Sequence, residues 1–237
     1  MIRHPHLRLG ALLLSVCALI TAAPLAAHAV GGSDAAFVAA TQGPAPGPFL
    51  YLGAKHMVTG LDHLLVLLGV IFFLWRARDI LIYVTLFSLG HSLTLLLGVG
   101  LGIGLNSWLV DAAIGLSVVY KAFDNLSGFP TLGLPRPDPK LAVLGFGLVH
   151  GAGLATRIID LGLNPDGLIA NLLAFNVGVE LGQATALALV LGPLLLWRRH
   201  PSFLRFAGAA NFAMMTAGFA LIAYNLAGYW LTTGTGA

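Results

Sequence analysis

Charged residues are scarce in this chain of 237 residues, since only 9% of them are Asp, Glu, Lys or Arg. A soluble domain carries about 25% charged residues, so this composition cannot supply a water-facing surface. Disorder is excluded as well, because disordered segments combine low hydrophobicity with high charge. With 58% hydrophobic residues and a mean hydropathy of +0.90, the chain is predicted to be a polytopic membrane protein.

Cysteine is nearly absent, and Cys17 is the only one. It lies in a segment in which Arg3 and Arg8 precede a short apolar run and an A-x-A pattern ending at Ala29, as is typical of a secretory signal peptide. We therefore predict a cleaved signal peptide over residues 1–29, with an uncleaved first membrane helix as the alternative. Cleavage leaves no thiol, which excludes disulfides, cysteine-ligated zinc and iron–sulfur clusters.

Long apolar runs follow a short periplasmic lead-in over residues 30–48. Each run is near the ~20 residues that cross the hydrocarbon of a bilayer. The six predicted spans are residues 50–75, 80–104, 107–124, 141–160, 168–197 and 205–231. The predicted fold class is therefore an all-α integral membrane protein, with one six-transmembrane-helix bundle over residues 49–237.

Basic residues report the orientation of these spans. The segments predicted to face inward hold eight Lys or Arg residues: Arg76, Arg78, Lys121, Arg136, Lys140, Arg198, Arg199 and Arg205. Only Lys55 and Arg157 lie toward the outer side, and we expect Arg157 to pair with Asp160 one turn further on. By the positive-inside rule, the chain lies in the bacterial inner membrane with both mature termini in the periplasm.

Ionisable and amide side chains interrupt the apolar spans. An ionised side chain at mid-bilayer costs about 2.5–3.5 kcal/mol even on lenient scales, so such residues usually face a cavity or a partner. The candidate metal-binding residues are His56, Asp62, His63, His91, His150 and Glu180. Asp124 and Asn125, at the inner end of the third span, are candidates for an inner exit or gate.

The spacing in the first span brings three of these residues together. His56 and His63 are seven residues apart, nearly two helical turns, so both imidazoles are predicted to lie on one face. Gly60 lies between them and leaves room for a ligand or a neighbouring backbone. Asp62 can hold a histidine N–H or join the ligand set. Imidazoles with one or two carboxylates suit Ni, Zn, Co or Cu ions rather than Mg or Ca.

Two later segments, which we call the echo segments, resemble each other weakly. Phe87-Ser-Leu-Gly-His91 and Phe146-Gly-Leu-Val-His150 share Phe, Leu and His at matching offsets, on two spans that run in the same direction. The sequence leaves open whether this is a repeat or a coincidence in a Leu-rich chain.

The same residues carry a family resemblance. His56-Met-Val-Thr-Gly-Leu-Asp62-His63 resembles the H-x5-D-H signature of the HupE/UreJ family of hydrogenase and urease accessory membrane proteins. The segments around His91 and His150 are similar to that family's later motifs, although Phe146 and Gly153 replace a His and a Glu of the nickel-permease form. The resemblance implies uptake of nickel or a related divalent metal, with His56, Asp62 and His63 as essential residues.

The leading hypothesis is a secondary divalent-metal permease for nickel, or for cobalt or zinc, in which the ion is the substrate and no prosthetic group is expected. The alternative is an intramembrane zinc hydrolase, with His63, His91 and His150 as ligands, Asp62 or Glu180 as general base and Ser92 nearby. A third class is a metal-binding scaffold that transports nothing. The expected partners are the lipid bilayer and the metal ion, without nucleic acid, and the sequence leaves homo-oligomers open.

Overall fold

The computed structural model describes residues 32–160, 162 and 165–234, and within these residues every regular element is a helix. The helices are α1 Gly32–Ala40, α2 Pro46–Thr59, α3 Leu61–Ile71, α4 Ala77–Leu101, α5 Ser107–Asn125, α6 Gly128–Thr131, α7 Pro139–Asp160, α8 Leu168–Arg198 and α9 Ser202–Gly234. The all-α prediction is confirmed. The predicted signal peptide lies outside the described residues, and the predicted lead-in contains α1, whose Asp34 accepts a 2.7 Å hydrogen bond from Lys55 on α2.

Four helices, α4, α7, α8 and α9, are long and apolar enough to cross a membrane. The first predicted span is not one straight helix, because α2 and α3 meet at Gly60 with a bend of 62°, and together they make a fifth candidate span. The third predicted span is the helix α5, but it does not count as apolar enough. Its Asp111, Lys121 and Asp124 explain this, because charged groups lower the hydropathy of a helix of only 19 residues.

Three helix pairs with glycine contacts form the bundle. Gly178 of α8 lies against the Leu50 carbonyl of α2, and Gly147 of α7 lies against the Phe87 carbonyl of α4, in both cases so closely that a Cβ atom would clash. In the third pair, Gly115 of α5 faces Gly218 of α9. Small residues let membrane helices approach with their backbones in contact. The pairs α2/α8 and α4/α7 run parallel, whereas α5/α9 runs antiparallel.

The long helix α8 holds the bent span at both ends. Near the start of α8, the side-chain amide oxygen of Asn171 accepts a 2.6 Å hydrogen bond from the backbone N–H of Ala45, just before α2 begins. At the end of α8, the Arg198 guanidinium donates to the carbonyls of Ile71 and Phe72, where α3 ends. These bonds satisfy backbone groups that helix ends leave unpaired, and a cation at a helix C-terminus is favourable. Helix α3 is therefore fixed in the bundle interior.

Candidate metal centre

The break between α2 and α3 forms the site. Gly60 has backbone angles φ −70° and ψ 103°, which end α2 and start α3. A Cβ atom at this position would lie 2.8 Å from His63 Nδ1 and 3.2 Å from Asp62 Oδ1. A larger residue would therefore displace the imidazole or the carboxylate. The break also puts Asp62 in the first turn of α3, where the positive end of the helix dipole favours a carboxylate.

Asp62, His63 and His150 form a compact buried cluster. Each can offer one ligand atom such that all three atoms lie within 4.8 Å of one another. The two Asp62 oxygens face different rings, Oδ1 at 3.2 Å from His63 Nδ1 and Oδ2 at 3.8 Å from His150 Nδ1. Each residue is only 1% exposed. Two imidazoles and one carboxylate are a donor set for late first-row transition metals.

Two further histidines flank this cluster. The ring centroid of His63 lies 5.0 Å from that of His56 and 5.9 Å from that of His91. Both ring nitrogens of His91 are buried and have no hydrogen-bond partner in the part of the chain that the structure describes. A buried polar group without a partner costs about 1–3 kcal/mol. An ion bound next to His91 would offset that cost by accepting a lone pair from one of its nitrogens.

Phe87 forms an apolar wall of the centre. Its ring centroid lies 5.1 Å from that of His150, 6.3 Å from that of His91 and 6.4 Å from that of His63. The ring therefore contacts three of the four histidines and keeps water from that side of the cluster. In the echo segment, Phe146 instead contacts Tyr120, with ring centroids 5.3 Å apart. The two phenylalanines of the echo have different surroundings.

Ser117 of α5 contacts His150 from behind. Its hydroxyl donates to the Ile114 carbonyl at 2.6 Å, and its Oγ lies 3.2 Å from His150 Nε2. Because the hydroxyl proton is already given to Ile114, the oxygen is able to accept the proton on Nε2. We infer that this bond selects the tautomer whose Nδ1 lone pair faces Asp62. Outer-shell bonds of this kind orient metal-binding histidines, and nothing in the spacing of α5 and α7 predicted this one.

Helices α4 and α7 are in backbone contact at the level of both histidines. A Cβ atom on Gly151 would lie 2.1 Å from the His91 carbonyl oxygen. Thr94 on α4 donates a 2.8 Å hydrogen bond to the Leu148 carbonyl on α7. The two segments of the sequence echo therefore pack against each other, which brings His91 and His150 to one centre.

Glu180 lies apart from the three-residue cluster. Its Oε2 is 2.5 Å from Ser88 Oγ, and its Oε1 is 3.3 Å from Ser92 Oγ. The side chain is on the exposed face of α8. The structure thus brings His56, Asp62, His63, His91 and His150 together and places Glu180 on a different side of α4.

The predicted gate residues, Asp124 and Asn125, line a cavity of about 420 Å³ at the end of the bundle where α5 ends. Asp124 is held by two cations, Lys121 at 2.7 Å and Arg136 at 2.6 Å. The bond to Asp124 raises the pKa of Arg136, so the guanidinium stays charged. Asn125 bonds to the Gly69 carbonyl at 2.9 Å and to Asn211 at 2.8 Å. Asp124 is therefore neutralised in this conformation, and Asn125 fixes the end of α5.

The expected pair between Arg157 and Asp160 is replaced by a longer-range contact. Arg157 of α7 donates to Asp111 of α5, whereas Asp160 is exposed. The two charges at 111 and 157 each gain a partner by meeting between the helices, which a charged group in an apolar setting requires. A contact within one turn of α7 would have left Asp111 without this cation.

Comparison with known proteins gives one family. The family model described as HupE / UreJ protein matches residues 32–233, which is most of the chain. No curated protein matches the chain, and no solved structure does.

Proposed function

This chain belongs to the HupE / UreJ family, and we propose that it is a secondary permease that carries a divalent transition metal, with nickel as the first candidate, across the bacterial inner membrane. The observation that carries the proposal is the cluster of Asp62, His63 and His150. These are buried metal-type ligands inside a chain whose helices otherwise present apolar side chains to lipid.

The donor set fits a transported ion. Imidazole nitrogens and carboxylate oxygens bind Ni, Co, Zn and Cu, and their affinities follow the Irving–Williams order, so the geometry of the site selects among them. His56 is only partly buried and His63 is fully buried. We propose that the ion loses its hydration water to His56 first and then reaches Asp62, His63 and His150, with His91 as a further ligand.

The orientation gives the direction and the energy source. We propose that α5 crosses the membrane in the bundle interior as a sixth span, because α3, α7 and α9 pack around it. With the termini outside, the cavity at Asp124 and Asn125 opens to the cytoplasm and is the exit. A divalent ion that moves inward gains about 4.6 kcal/mol per 100 mV, twice the gain of a unit charge. The membrane potential alone can therefore drive accumulation.

Total cellular metal tests this proposal. Cells express the intact chain, His63→Ala or His200→Ala at matched membrane levels, and mass spectrometry measures nickel, cobalt, zinc, copper and iron. His200 is the matched control, because it is exposed and its ring, among the described residues, hydrogen-bonds only to Ser202 near the start of α9. We expect one metal to accumulate with the intact chain and with His200→Ala but not with His63→Ala. Equal metal contents in all three strains would contradict transport.

A zinc hydrolase is the second candidate, favoured by the closed and buried character of the centre. Of the two proposed general bases only Asp62 adjoins the histidines, since Glu180 bonds to Ser88 and Ser92 instead. Polar groups at a second depth, around Asp124, favour the permease. Purified protein that keeps zinc through dialysis against a chelator, from cells that accumulate no metal, would support the hydrolase.

A further inference from the structure

Glu180 lies in the middle of α8, on an exposed and largely apolar face of the helix. Its neighbours on this face are exposed hydrophobic residues: Leu173, Val177 and Leu181. Helix α8 is one of the candidate membrane spans, so this face meets lipid. Among the described residues, Glu180 has no ion-pair partner. An ionised carboxylate in such a place is costly.

The hydrogen bonds around Glu180 can be counted proton by proton. Gln183 Nε2 donates to the Val84 carbonyl at 3.2 Å, and this fixes Oε1 of the amide toward Ser88, at 2.9 Å. An amide oxygen only accepts, so the 2.9 Å contact is a hydrogen bond only when the single proton of the Ser88 hydroxyl points to Gln183. Ser88 Oγ is also 2.5 Å from Glu180 Oε2. A serine that gives its proton to Gln183 only accepts at Glu180, so both contacts of Ser88 Oγ are hydrogen bonds only when Glu180 supplies the second proton.

We propose that Glu180, Ser88 and Gln183 form a proton-binding site within the membrane, that Glu180 carries the proton of its bond to Ser88, and that this proton is exchanged during metal transport. The second part rests on the proposed function. Protonation turns the carboxylate into a neutral acid, with the proton on Oε2 and Oε1 as the carbonyl oxygen that accepts from Ser92. Loss of the proton would leave Ser88 Oγ between two acceptors.

The titratable groups on the neighbouring helices are otherwise engaged. On α4, the His91 ring packs on Phe87 and His63. On α2, Lys55 pairs with Asp34, and the His56 ring contacts His63 and Phe175. On α3, Asp62 and His63 belong to the metal centre. None of these groups forms an ion pair with Glu180 in the described part of the chain, so no cation holds it in the ionised form.

The proton site adjoins the metal centre through α4. Ser88 and His91 are three residues apart on that helix, and Ser88 makes two of the hydrogen bonds that join α4 to α8. Deprotonation would break the arrangement of hydrogen bonds at Ser88 and leave the bond from Gln183 to the Val84 carbonyl unaffected. It would thereby change the position of α4 relative to α8, and α4 is the helix whose Phe87 and His91 contact the metal cluster. A contact between helices that has two arrangements, and that a proton shifts from one to the other, is able to couple proton binding to metal binding.

Infrared spectroscopy of the reconstituted full chain at pH 7.5 tests the protonation. We expect the carbonyl-stretch band of a neutral carboxylic acid in the intact protein and its loss in Glu180→Gln, which keeps an N–H donor for Ser88. Ser88→Ala should shift the band to higher frequency, because the carboxylic acid loses its hydrogen-bond acceptor. Asp124→Asn is the matched control and should leave the band unchanged, since two cations already hold Asp124 as a carboxylate. If Glu180→Gln instead lost carboxylate bands and no carboxylic-acid band, Glu180 would be ionised in the intact protein, and the proposal would be overturned.

Vesicles that contain a pH-sensitive dye test the exchange. Addition of nickel outside should move protons with the intact protein, and Glu180→Gln should reduce this proton flux at least tenfold while the purified variant still binds nickel. An unchanged proton flux in Glu180→Gln would overturn the coupling. If the intact protein moved no metal but kept the infrared band, the permease proposal alone would fail.

Discussion

Asp62 contacts both imidazoles of the cluster, one through each of its carboxylate oxygens. The sequence indicated this residue through its position beside His63 in the H-x5-D-H run. It could not indicate that Asp62 would also face His150, because that residue lies 88 positions further along the chain. The same holds for Ser117, whose bond to His150 depends on how α5 packs against α7. Contacts between distant helices leave no spacing signal in a single sequence.

Ser117→Ala removes the acceptor for His150 Nε2 and leaves the ring free to take the other tautomer. We expect the affinity of the purified protein for nickel to fall by about 10–100-fold, the usual cost of losing an outer-shell partner. Isothermal titration calorimetry measures the change. Thr216→Ala is the control, because that hydroxyl bonds, among the described residues, only to a carbonyl of its own helix, and its loss should leave the affinity unaltered. Equal affinities for all three proteins would show that Ser117 does not orient the ring.

The bend at Gly60 is the element-scale feature that most affects the site. Periodicity placed His56 and His63 on one face of a straight helix, and their rings are indeed adjacent. The reason differs, since they lie on two helices that meet at 62°. Both segments that flank Gly60 are apolar and have a helical pattern, so the sequence predicts one continuous helix in which Gly60 leaves space for a ligand. It does not predict the break between α2 and α3. The sequence also predicted α5 as an ordinary apolar span, but its charged residues lower its hydropathy below that of the other spans. Packing inside the bundle buries Asp111 and Asp124.

Gly60→Ala tests the bend. The added Cβ would meet His63 Nδ1 at 2.8 Å, while φ −70° is open to any residue, so the effect is a displaced imidazole and not backbone strain. We expect nickel affinity to fall at least about tenfold, as for lost ligand support, with helix content unchanged by circular dichroism. Gly192→Ala on α8 meets nothing within 4 Å and should be neutral or stabilise by ~0.5–1 kcal/mol. Wild-type affinity in Gly60→Ala would mean that the break does not shape the centre.

At the scale of the whole molecule, composition predicted a membrane environment, whereas the pairing of the helices is known only from the structure. Scarce charge and long apolar runs were enough for an all-α membrane protein, and the family was recognisable from one run of eight residues. The pairing of α2 with α8 and of α4 with α7 depends on glycines that face a neighbouring backbone, such as Gly147 and Gly178. Which of the 30 glycines do so follows only from the assembled bundle.

The orientation is testable with introduced thiols. In a Cys17→Ser background, Thr232→Cys near the end of α9 and Arg199→Cys at the end of α8 lie at opposite ends of the bundle. We expect a membrane-impermeant maleimide, added to intact cells with a permeable outer membrane, to label Thr232→Cys and to reach Arg199→Cys only after lysis. The reverse pattern would put the termini in the cytoplasm and would contradict the positive-inside assignment.

The central claim is that the buried aspartate–histidine cluster is the path of a transported metal, and direct flux tests it best. The intact protein and His150→Ala are reconstituted into vesicles that enclose a metal-sensitive dye, with an inside-negative potential and a matched protein content. We predict saturable nickel entry with the intact protein. The rate of entry should fall with His150→Ala by more than the loss of about 10–100-fold that is expected when a residue behind a ligand is removed. Entry at the rate of protein-free vesicles, or equal entry with His150→Ala, would contradict the account.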